Sequence, residues 1–102
     1  MKKTLYFSTL ATLLLAFVGT AQANEVFAKN CAACHAGGKN IMNPDKTLTM
    51  ESLGKNGVAT LDAIKELVTK GKPPMPGFGS SLDEKQIESV SAYVLEQAKK
   101  GW

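Results

Sequence analysis

The chain has 102 residues, of which 44% are apolar and 21% charged, with a formal net charge of +3, two cysteines and one histidine. That length holds one domain and excludes a multidomain enzyme, and the apolar share excludes a disordered tail. Lys2 and Lys3 precede a 14-residue run, 5–18, broken only by Ser8, Thr9 and Thr12, and Ala21-Gln22-Ala23 follows. A run so short of the roughly 18 apolar residues a spanning helix needs reads as a secretory signal peptide over 1–23, with cleavage after Ala21 as the alternative. What remains, 24–102, is 79 residues with ten lysines against nine acids. That near-neutral balance argues against a nucleic-acid partner. It is also the size range in which a core needs a staple: disulfides, a metal or a bound cofactor.

In chain order the pattern is helix and loop, with no alternating run long enough for a sheet. A short amphipathic piece carrying Val26 and Phe27 leads into Cys31, and Ala36-Gly37-Gly38 ends it. Asn43-Pro44-Asp45 marks a turn in a loop that reaches about Leu48, and a helical turn over Met50 to Leu53 follows. Thr60 reads as the N-cap of the next helix, with Asp62 in the first turn, Leu61, Ile64, Leu67 and Val68 on one face, and Lys70 and Gly71 at the end. Gly71 to Ser80 holds three prolines and three glycines in ten residues, so it is a stiff loop. Ser81 and Glu84 fit a capping box for the last helix, whose stripe is Ile87, Val90 and Val94.

The chemistry lies in Cys31-Ala32-Ala33-Cys34-His35, the Cys-x-x-Cys-His arrangement of c-type haem attachment. Two thiols three positions apart on a helical turn face the same way and can add across two vinyl groups on one porphyrin edge. His35 then falls beneath the iron, and its second ring nitrogen needs an acceptor, for which Asn40 and the Pro44 carbonyl are candidates. Three other readings of the cysteines are weaker. A thioredoxin-like pair wants a preceding strand, a Cys31–Cys34 disulfide closes a tiny loop, and zinc lacks a fourth ligand. No second histidine exists for a sixth iron ligand, which leaves the thioethers of Met42, Met50 and Met75. Met75 is favoured because Pro74 and Pro76 stiffen its loop between two helices. Met50 reads as core filler, and Met42 stays open. A soft thioether opposite imidazole favours ferrous iron and raises the reduction potential.

Beyond the haem motif, several stretches resemble the cytochrome c6 family. They are Val26-Phe27 with Asn30 to Gly38, Pro44 to Leu48, Gly71-Lys72 with Met75-Pro76 and Phe78-Gly79, and Ala92 to Trp102. The resemblance covers nearly all of 24–102. It implies an all-α, class I cytochrome c fold of about four helices around one haem c, and a carrier working between the cytochrome b6f complex and photosystem I in a thylakoid lumen. Two departures stand out. A cut after Ala23 leaves only seven residues before Cys31, fewer than the family usually has. Leu67, eight positions before Met75, stands where typical members carry a glutamine that contacts the haem environment. Aliphatic residues there look like those of lower-potential variants, so the acceptor could instead be a terminal oxidase or another lower-potential partner.

These residues point to one-electron transfer rather than enzymology. The histidine and both cysteines are committed to haem, and the nine acids form no tight pair. Docking is expected on the apolar rim of the haem edge, with Phe78 and the Pro-Gly loop, by a monomer in a lumen or periplasm that does not enter the membrane. A haem sensor or peroxidase with open iron is the competing class, and carbon monoxide binding separates the two.

Overall fold

The computed structural model describes residues 23–102. The expected leader and its cleavage alternatives therefore lie outside the described residues, except for Ala23, which is helical and buried. Among the described residues five α-helices follow one another: α1 over 23–30, α2 Ala32–His35, α3 Met50–Lys55, α4 Leu61–Lys70 and α5 Glu84–Lys100. A 3₁₀ turn, Ala36–Gly38, continues α2. No strand occurs among the described residues; the one β-bridge pairs Lys72 with Met75.

The helices begin where side chains can satisfy their free N–H groups. Thr49 accepts from Ser52 N–H at 3.2 Å and Thr60 from Ala63 N–H at 3.2 Å, each filling one of the donors a helix start leaves open. The expected box at Ser81 and Glu84 is corrected to Asp83 and Gln86. Gln86 N–H donates to the Asp83 carboxylate at 2.8 Å, and Asp83 N–H donates to Gln86 Oε1 at 2.9 Å. Ser81 belongs instead to a turn in which Ser81 N–H and Leu82 N–H both donate to the Phe78 carbonyl. Leu82, just ahead of the cap, and Ile87, one turn inside it, join the same apolar cluster, the staple that fixes the entry of α5.

α5 packs on α4 and α3. The core between them holds Phe27, Leu53, Ile64, Val68, Ile87, Val90, Val94 and Ala98. The predicted stripe of α5 is therefore buried, extended by Ala98 and by Ser91, whose hydroxyl has no hydrogen-bond partner among the described residues. On α4 the expected face divides. Ile64 and Val68 enter the core, while Leu61 and Leu67 stay half-buried.

The C-terminus is folded back over this core. Gly101 sits at φ 90°, Gly101 N–H donates to Ala98 O at 3.3 Å, and Trp102 N–H donates to Gln97 O at 2.8 Å, a Schellman stop that favours glycine. It delivers Trp102 to Phe27 and Tyr93, with ring centroids 5.4 and 6.2 Å away. Trp102 Nε1–H then donates to Leu48 O at 2.8 Å. Gly38 lies under the indole, where a β-carbon would collide with the ring.

Candidate functional site

A single helical turn gathers the attachment motif. His35 N–H donates to the Cys31 carbonyl at 2.9 Å and Cys34 N–H to the same oxygen at 3.2 Å. Side chains three and four positions apart share a helix face, and Cys31, Cys34 and His35 all line one cavity of about 290 Å³. Leu48, Leu53, Val58, Leu67, Met75 and Phe78 supply apolar walls, while Asn40, Lys46 and Lys72 are among its polar residues. The cavity thus brings together Cys31, Cys34, His35, Leu67 and Met75, and Met42, left open by the sequence, lines it as well.

Both cysteines are free and half-buried. Burial pushes the Cys31 thiol from 9.0 up to about 11, so near neutral pH it is a protonated, apolar group. A thioredoxin-like pair wants a strand before its cysteines, and here helix α1 leads into Cys31.

The histidine ring is oriented by a backbone carbonyl. His35 Nδ1 lies 2.8 Å from Lys39 O; a carbonyl only accepts, so Nδ1 carries the proton and Nε2 keeps its lone pair for a metal. The acceptor is thus neither Asn40 nor the Pro44 carbonyl. Gly37 at φ 64° and Gly38 at φ 77° turn the chain directly after His35, which brings the carbonyl four residues on against the ring. The Asn40 side chain is engaged elsewhere: its Nδ2 donates to Lys46 O at 2.9 Å, and its Oδ1 accepts from Met42 N–H at 3.1 Å and Asn43 N–H at 2.9 Å.

The two thioethers left open by the sequence occupy different settings. Met42 is 62% exposed, and its neighbour Ile41 donates its N–H to Cys34 O at 3.0 Å, which holds it on the segment that carries the His35 acceptor. Met75 is half-buried and packs against the core. Lys72 N–H donates to Met75 O at 3.0 Å and Met75 N–H to Lys72 O at 2.8 Å. Phe78 N–H reaches Val68 O at 2.8 Å and Gly79 N–H reaches Thr69 O at 3.1 Å, tying the far side of the loop to α4. Gly71 and Gly77 are pressed together so closely that a β-carbon on either would strike the other end of the loop. Met50 is half-buried beside the core, the filler role expected of it.

This donor set fits a covalent haem: two thiols on one turn, an imidazole with a free Nε2, a fixed soft sulfur and apolar walls. Sequence reasoning missed the Lys39 carbonyl and the wall residues Val58 and Leu53. Phe78, expected on the apolar rim, is half-buried and lines the cavity wall. The large apolar side chains exposed among the described residues are Ile41, at 67%, and Met42.

Comparison with known proteins gives concordant matches. The family model for cytochrome c oxidase, cbb3-type, subunit III matches residues 19–94. Cytochrome c6 of Gloeothece citriformis is 52% identical over 88 residues, covering 85% of this chain and 80% of that protein. The structure of cytochrome c6 from the diatom Phaeodactylum tricornutum superposes with a TM-score of 0.79 at 45% identity, covering 81% of this chain and 98% of that one. Cytochrome c6C from Synechococcus sp. PCC 7002 gives a TM-score of 0.77 at 40% identity, covering 79% and 99%.

Proposed function

This chain belongs to the cytochrome c6 family and carries one covalent haem c, and from that premise we propose that it is a soluble, monomeric shuttle between the cytochrome b6f complex and photosystem I. It works in a thylakoid lumen, reached by way of the leader over 1–23. The haem supplies a one-electron ferric/ferrous couple. The chain's own residues do the rest. Cys31 and Cys34 hold the group through thioethers. His35 Nε2 and the Met75 sulfur would hold the iron, and the Lys39 carbonyl fixes the imidazole tautomer. Leu48, Leu53, Val58 and Phe78 line the cavity and would shield the iron from water, lowering the local dielectric and helping to set the potential.

The observation that carries this reading is the meeting of Cys31, Cys34, His35 and Met75 in one cavity. A carrier needs both axial positions filled, whereas a sensor or peroxidase needs one open. The reduced protein is expected to refuse carbon monoxide at neutral pH, and ready binding would overturn the assignment of Met75.

Leu67 favours a second reading. It lines the cavity, so an aliphatic side chain stands at the haem where a family amide usually does, and the potential then suits a terminal oxidase or another lower-potential partner. Spectroelectrochemical titration together with flash-induced reduction of photosystem I particles separates the two. A potential matched to the photosystem donor couple with fast reduction supports the shuttle. A potential lower by several steps of about 59 mV, each tenfold in the equilibrium constant of a one-electron couple, replaces that partner with another.

A further inference from the structure

We infer that Asn40 is a positioning residue that sets the donor strength of His35 by fastening the segment whose Lys39 carbonyl receives the imidazole N–H. The inference rests on His35 being an iron ligand, as proposed above.

Between Gly38 and Leu48 the chain forms no helix or strand beyond isolated turns and bends. Its ends are joined by Leu48 N–H donating to Gly38 O at 2.8 Å. Inside that closed loop a single side chain makes the organising bonds. Asn40 Oδ1 accepts from two successive N–H groups, Met42 and Asn43, and Nδ2 donates across the loop to Lys46 O. Two amide N–H groups facing one atom require that atom to be oxygen, so the orientation of the side chain follows from its partners. Asparagine alone among short side chains offers an acceptor and a donor in this geometry. Aspartate lacks the donor, and serine makes the turn contact more weakly.

Lys39 immediately precedes this anchor and Ile41 immediately follows it. Lys39 O takes the proton-bearing Nδ1 at 2.8 Å, and Ile41 N–H holds Cys34 O at 3.0 Å. Fixing residue 40 therefore fixes both contacts between the loop and the attachment turn. A firm Nδ1–H to carbonyl bond makes the imidazole more basic, and a more basic ligand stabilises ferric over ferrous iron. When the anchor is lost, that bond lengthens and the potential rises.

The test uses the haem-loaded protein and the variants Asn40→Ser and Asn40→Ala. The expected result is a graded rise in midpoint potential from parent to serine to alanine. The alanine variant is expected to shift the redox equilibrium up to tenfold, which is about 59 mV for a one-electron couple. In a Met75→Ala background, where the ferrous iron keeps only its histidine, the iron–histidine stretch is expected to move to lower frequency in the same order. Unchanged potentials and stretches, with thermal stability alone reduced, would make Asn40 a merely structural residue and overturn the inference. Should the alanine variant fail to retain haem, the serine variant decides by the same two readouts. A mistaken assignment of His35 shows separately, because the parent itself would then lack a low-spin His/Met signature.

Discussion

Two segments face each other across the haem cavity, and they are held by different physics. The His35 side, 36–48, is fixed by polar bonds: the Asn40 network, the Gly38–Leu48 closure and the indole N–H of Trp102 on Leu48 O. The Met75 side, 71–79, adds sterics to its backbone bonds: three prolines and a glycine pair in close contact stiffen a loop that is pinned by the paired bonds of Lys72 with Met75 and by Phe78 and Gly79 on α4. A hydrogen-bonded strap can loosen by degrees, whereas a close-packed one either fits or does not. The first arrangement suits graded adjustment of the imidazole. The second suits the ligation proposed for Met75, since a thioether is a weak donor that stays bound only when its loop leaves it little else to do.

The largest test of this contrast removes the sulfur. Met75→Ala is expected to give high-spin or ligand-exchanged haem that takes up carbon monoxide, with a potential lower by on the order of 100 mV or more within the ~0.8 V that axial ligands span. Met42→Leu, the matched change on the opposite segment, is expected to leave spectrum and potential as they are. A reversed pattern in the two titrations would exchange the roles of the methionines.

Breaking the far anchor of the polar segment is expected to act on stability. Trp102→Ala removes a half-buried ring packed on Phe27 and Tyr93 and frees Leu48 O. The loss is about 2 to 3 kcal/mol, below the range for a fully buried tryptophan, and is read as a lower denaturation midpoint. Ligation by Met75 should persist in this variant, because the two segments are anchored separately.

The steric side breaks at its hinge. Gly71 lies at φ 74°, ψ 174°, a region that only glycine occupies freely, so Gly71→Ala costs about 1 to 3 kcal/mol in backbone strain. The added β-carbon also meets Gly77 and Pro76. Unlike Trp102→Ala, this change is expected to reach the iron. The reduced protein should bind carbon monoxide measurably, and an unaltered affinity would show that the loop holds Met75 without its glycine contact.

What the sequence disclosed and what it withheld divide along the same line. The attachment turn, the Thr60 cap, the loop from Gly71 to Ser80 and the stripe of α5 were legible, because each depends on spacing or on residues with restricted backbones. The start of α5 was not, since Ser81-x-x-Glu84 and Asp83-x-x-Gln86 match the same box two residues apart. The Phe78 carbonyl, by capturing Ser81 and Leu82, selects the second. The His35 acceptor was hidden for a deeper reason. Every residue has a carbonyl, so the one that reaches the ring is chosen by the turn at Gly37 and Gly38 and leaves no trace in side-chain identity. The part Phe78 plays in the wall was hidden because an aromatic next to glycines fits a docking rim and a cavity wall equally well until α4 is seen to take its N–H.

The finest test lies on the wall between the two segments. Leu67 lines the cavity from α4, and Gly71 N–H donates to its carbonyl at 2.7 Å, so it stands at the root of the Met75 loop while its side chain faces the haem space. In Leu67→Gln an amide N–H can approach the sulfur. Donation to a thioether withdraws density from the iron bond, and ferric iron, which needs that density more, is stabilised less. The potential is expected to rise by about one tenfold step, near 59 mV, with ligation and stability little changed because the two side chains are similar in length. An equal or lower potential would mean that the steric side of the cavity holds Met75 without tuning it, leaving adjustment to the polar side alone.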